Sequence, residues 1–231
     1  ENKYDFSFLI NQTINFIRKP RSVNSARLSL TIIFATVALF LTKPAHAVVI
    51  TEAEYVLLPE YCKAQSNVSE VYYTKYLSPE RTRRWQSALG SNYIHYHHYC
   101  WGLVSIARAY RPSSSYGTRT SLARLALADI TYMTERATPD FILLHEVYTK
   151  QCEAYLLLRD DRNAEMAFRK AWEINPAYWR PYVWWGQRLL QLGRLPEAQS
   201  VVEEGLKNAP GTKALEQLSK DINSSLGKSK K

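Results

Sequence analysis

From Tyr148 onward the apolar positions recur at spacings of three and four, the period of an α-helix with one buried face. Ala164, Phe168 and Ala171 set small, large and small side chains on one such face. Ala198, Val202 and Gly205 repeat that order 34 residues later. In the same register Tyr148, Cys152 and Tyr155 map onto Tyr182, Gly186 and Leu189, and Pro176 maps onto Pro210. Small residues let two helices approach closely, and the large one fills the groove between them. Asn175-Pro176 and Ala209-Pro210 stop the second helix of each copy, because the residue before proline is pushed out of the helical region. A fixed period of this length predicts helical hairpins stacked side by side, since one hairpin alone cannot cover its apolar face. The expected fold class is therefore all-α, with antiparallel helical hairpins forming a short superhelix.

The rest of the chain also reads as helical. Thr51 with Glu54 forms a capping box for a short helix ending near Pro59. Residues 63–77 are polar and then tyrosine-rich, and they predict no clear element. Ser78 and Pro79 suit the start of a helix that runs to Leu89, and Gly90 suits its end. Ser91 is read as the cap of a helix over 92–110. Its stripe, Tyr93, Tyr96, Cys100, Leu103, Ala107 and Tyr110, is expected to be buried. Helices are expected at about 119–137 and 140–158. After Pro210, Leu215, Leu218 and Ile222 mark a last helix with a polar outer face, the cap that such arrays need. The expected divisions are an N-terminal helical region 48–90, a divergent hairpin region 91–144, two repeats over 145–211, a capping helix 212–226 and a basic tail 227–231.

Residues 1–47 read as a targeting segment. Arg18, Lys19, Arg21 and Arg27 precede an apolar run from Leu28 to Leu41, followed by Ala45-His46-Ala47. The expectation is a signal peptide cleaved after Ala47 and a periplasmic or secreted mature chain. If retained uncleaved, residues 28–42 would anchor the chain at a membrane, as in a structural subunit of a membrane complex. No methionine occurs before Met133, so residue 1 is not expected to be the natural initiator.

The formal net charge of +9 at first suggests an acidic partner. Much of the excess lies in the targeting segment, and Lys228, Lys230 and Lys231 add more at the tail. The body between is close to neutral, so nucleic acid is not an expected partner. Arg81, Arg83 and Arg84 read as a solvated helix face.

Few residues carry chemistry. With eight glycines the chain offers little for a phosphate cradle, and no nucleophile–base pattern stands out; the chain is not read as an enzyme and no cofactor is expected. His95 and His98, three apart, with Cys100 nearby, are the candidates for a metal or haem site, which gives the alternative reading of a periplasmic metal- or haem-binding helical protein. Packing histidines on a helix interface explain the same pattern. Export would permit a disulfide, and Cys62 with Cys100 is the candidate pair; three reduced thiols remain the other possibility. Cys152 occupies a small-residue slot and is expected to be a packed thiol.

Tyr182, Trp185, Gly186, Leu189, Gly193, Ala198 and Pro210 together resemble the consensus of the tetratricopeptide repeat (TPR) family. The first copy departs from it at Gln151 and Cys152. Residues Pro59 to Cys100 resemble exported bacterial repeat proteins. The resemblance implies a scaffold or adaptor that holds a protein or peptide partner on its concave surface, lined by the first helix of each repeat. The groove positions it implies are Glu146, Thr149, Glu153 and Leu157, with Arg180, Val183, Gln187 and Gln191. The residues with which some members clamp a terminal carboxylate are missing from these slots. Trp179 and Trp184 fall off the repeat stripe, which places them toward the groove or the next helix.

Overall fold

The computed structural model describes residues 49–229, which pack as one compact unit. The expected signal peptide or anchor lies outside the described residues. Among the described residues there are eleven α-helices and no strand, and no helix is long and apolar enough to cross a membrane.

Four short helices open the fold: α1 (Glu52–Leu57), α2 (Glu60–Lys63), α3 (Glu70–Tyr76) and α4 (Pro79–Leu89). Thr51 and Glu54 make the reciprocal capping box expected of them. Ser78 caps α4, Pro79 begins it, and Gly90 ends it at φ 54°. The segment after Gly90 departs from expectation. It forms a 3₁₀ turn over Gly90–Ile94, and α5 begins only at His97 and runs to Ala109. Ser91 therefore caps nothing. Asn92 explains the delay: its amide donates to the Thr138 hydroxyl and its carbonyl accepts from the Thr138 amide, which holds the turn against the far end of the next hairpin.

The stack proper follows: α6 (Tyr116–Arg136), α7 (Leu144–Leu157), α8 (Asp161–Ile174), α9 (Arg180–Gln191), α10 (Leu195–Asn208) and α11 (Lys213–Ser229). Each helix packs on its neighbour in sequence, as short connections require. The last helix extends past the expected end at 226. The region 140–143 is a turn rather than the start of α7, held by the Phe141 and Leu144 amides on the carbonyls of Thr138 and Phe141.

The duplication is visible in the backbone. Helices α8 and α10 begin and end 34 residues apart. Helices α7 and α9 end in the same Schellman motif: Arg159 and Asp160 donate to Leu156 and Tyr155, and Gly193 and Arg194 donate to Leu190 and Leu189. The residue with positive φ is Gly193 in one copy and Arg159, at 58°, in the other. All six small-large-small positions are buried.

Two apolar cores share α7. The first takes Tyr55, Tyr96, Tyr99, Val104, Ile130, Met133 and Val147, and Ala154 closes it. The second takes Cys152, Phe168, Tyr182, Trp185, Val202 and the Leu215, Leu218 and Ile222 stripe of α11. Regions 48–90 and 91–144, expected as separate divisions, therefore share a single core. Cys62 and Cys100 are joined by a disulfide, which ties α2 onto α5.

Candidate functional site

The expected stripe on α5 is split in the structure, and the split makes the site. Tyr96 and Cys100 are buried, but Leu103 is half-buried and Ala107 and Tyr110 are exposed. The buried face runs instead through Tyr99, Cys100, Val104, Ile106 and Ala109. Because α5 starts at His97, Tyr93 is out of helical register with it. The disulfide side and the α6 side then claim the two faces that turn inward. Leu103, Ala107 and Tyr110 are left to form one wall of a cleft of about 720 Å³.

The end of α1 and the loop after it, with Leu57, Leu58 and Pro59, form the opposite lip, and α7 forms the floor. Leu57 is 84% exposed there. Of the eight groove positions implied by the resemblance, Glu146, Glu153 and Arg180 line this cleft. Leu157, Gln187 and Gln191 line a second hollow of about 220 Å³ between the ends of α7 and α9. Tyr110 borders both hollows and stacks on Trp184 with ring centroids 6.2 Å apart, an aromatic partition between the two.

Two expected groove positions lie elsewhere. Thr149 is 1% exposed, and its hydroxyl donates to the His145 carbonyl. Val183 is half-buried against the second core. The reason lies in α7, which packs against α5, α6, α8 and α9 and so has little free surface. Glu153 itself is only 3% exposed and pairs with Lys150 at 2.6 Å.

The electrostatics of the cleft are mostly internal. Glu54 accepts from Thr51, Arg108 and Arg111; the Arg108 hydrogen bonds above all hold its carboxyl well below the usual range. Glu146 lies among tyrosines. The Tyr61 hydroxyl donates to Glu146 Oε2 at 2.9 Å. Burial first, and the Glu146 charge second, push up the hydroxyl pKa of both Tyr61 and Tyr178. Burial also pushes up Tyr99, with smaller contributions from Tyr61 and Glu146. Arg180 stands at the rim over the rings of Trp179 and Tyr178, 4.8 and 5.8 Å from their centroids. Sequence reasoning missed Tyr61, Tyr99 and Tyr178. A signal for Tyr61 existed, since it adjoins Cys62 and follows that cysteine wherever the disulfide places it.

The histidine cluster assembles differently from the alternative reading. The Cys100 sulfur is bonded to Cys62 and offers no thiolate. His95 lies at the end of the 3₁₀ turn, with Nδ1 3.2 Å from the Tyr132 hydroxyl. His98 Nδ1 is 2.8 Å from Asp129 and its ring lies 3.8 Å from that of Tyr132. Both rings thus pack on α6 around Tyr132, where each ring's Nδ1 meets an α6 side chain. Among the described residues no group of three or more His, Cys, Asp or Glu side chains is placed to hold a metal. His97 Nδ1 and Trp101 Nε1 are buried without a hydrogen-bond partner among the described residues. The solvated arginine face also has structure: Arg81 pairs with Glu60 at 2.7 Å.

No protein-family model matches the chain, and no curated protein is significantly similar to it.

Proposed function

We propose that this chain is a TPR-like adaptor or scaffold, exported to an oxidising compartment, that holds a protein or peptide partner in the groove beside α5, α7 and α9. The observation that carries this reading is the concave surface itself: six of the eight positions implied by the resemblance border two adjacent hollows that share Tyr110. The groove combines an apolar lip and wall with a few fixed charges, the composition expected of a recognition surface. The Cys62–Cys100 disulfide favours an oxidising compartment, where such a bond persists. A bridged Cys100 and separately engaged histidines give no support to metal or haem binding.

Ala107 provides the test, because it is exposed on the cleft wall and small. A photo-reactive residue placed there in the full chain, in its native cell, is expected to cross-link one discrete partner. The same residue at Lys170, on the outer face of α8, is the control. No adduct from position 107, or equal adducts from both positions, would overturn the reading.

A further inference from the structure

The cleft floor holds a carboxylate without a cation. Glu146 is half-buried, and among the described residues it has no ion-pair partner. One oxygen accepts from Tyr61, and Oε1 has no protein hydrogen-bond partner among those residues. None of the three basic residues that line the cleft is ion-paired with Glu146. Lys150, one turn along α7, is held by Glu153 at 2.6 Å, Arg111 by Glu54, and Arg180 by the rings at the exposed rim. Around Glu146 stand the three tyrosines, Tyr61, Tyr99 and Tyr178, which also line the cleft. A partly desolvated carboxylate beside aromatic rings is costly when unpaired, and it is complementary to a cation carried on an apolar stem.

We propose that the cleft receives a lysine or arginine side chain of the partner segment, its charge on Glu146 and its methylene stem along the tyrosine rings. This rests on the adaptor reading above and names the chemistry of the partner at that site. An anionic anchor would meet the Glu146 charge, which no cation pairs among the described residues. A purely apolar anchor would cover the Glu146 charge without neutralising it. A basic side chain satisfies both the charge and the rings, and its apolar neighbours in the partner would lie against Leu103, Ala107 and Leu57.

The test uses the full chain with n-butylguanidinium as probe and n-butylurea as a neutral probe of the same shape. Saturable shifts are expected in the ring NMR signals of Tyr61, Tyr99 and Tyr178. The response should be at least fivefold weaker with n-butylurea and in Glu146→Gln. That variant keeps a carbonyl for the Tyr61 hydroxyl, so its near-UV circular dichroism should match the wild type; Glu146→Asp serves if it does not. The cross-link from position 107 should fall at least fivefold in the same variant. An equal response to n-butylurea, or an unchanged cross-link in Glu146→Gln, overturns the basic anchor and leaves the adaptor reading intact. Loss of the cross-link in the wild-type background overturns both.

Discussion

At the scale of single residues, the groove's stack is set by a few close approaches. A Cβ at Gly186 would meet Leu218 Cδ2 and Val202 Cγ2, each at 3.0 Å, and both neighbours are core residues. Gly186→Leu is therefore expected to destabilise by about 1–3 kcal/mol or more, read as a fall in Tm. Arg159 gives the opposite case. It holds, at φ 58°, the turn that Gly193 holds in the other copy. Glycine adopts that conformation without a Cβ clash, so Arg159→Gly should leave Tm unchanged or raise it by up to about 1 kcal/mol of stability. His97 adds a pH dependence. Burial, with the neighbouring His98, lowers its pKa from 6.5 to about 4. The unfolded chain then takes up a proton that the folded chain refuses, so this contribution is complete above pH 6.5 and is lost as pH falls toward 4. His97→Phe should flatten the decline of Tm between pH 6.5 and 5. His145, whose pKa burial also lowers, and Glu54, held low by Arg108, contribute to the remaining slope.

At the scale of elements, the disulfide and the last helix do separate work. The bridge closes a loop of sequence separation 38, worth roughly 3–4 kcal/mol in the chain-entropy model. Reduction should loosen α1 to α4 and the cleft lip they carry, while α7 to α10 stay helical in hydrogen exchange. Counting thiols in denaturant without reductant should give one, Cys152; its burial also pushes its pKa up, so it should resist labelling in the native state. Helix α11 covers the glycine faces of α9 and α10 with Leu218 and Leu215, and Ile222 extends its stripe into the same core. Truncation after Gly211 should expose that face and remove amide protection from α9 and α10 first. Capping signals made α1 and α4 readable in advance because they act within one turn of chain, and the Leu215, Leu218 and Ile222 stripe did the same for α11. The 3₁₀ turn before α5 depends on Asn92 reaching Thr138, and no local pattern carries that contact.

At the scale of the whole molecule, α7 belongs to both cores, with Cys152 in one and Ala154 in the other. The two halves should therefore unfold together. Near-UV circular dichroism, dominated by aromatics of both cores, and the labelling of Cys152 should report one midpoint; two midpoints would show that the cores are independent. The same sharing shapes the groove. A helix flanked by four others keeps only a strip of free surface, so Glu146 and Leu157 reach the groove while Thr149 does not.

The amino-acid sequence by itself determined the helical class, the 34-residue duplication, the small-large-small packing faces and the capping helix. Each rests on periodicity or on contacts within a turn or two, which the linear order of residues contains. Tertiary structure alone decided where the cleft lies. Tyr61 and Glu146 are 85 residues apart, and only the disulfide on one side and the hairpin stack on the other bring them together. It also decided that Leu103, Ala107 and Tyr110 form an open wall. A helical stripe states that a face is apolar, but whether that face is covered depends on which neighbours pack against it, and here α1 and α2 stop short of closing over α5.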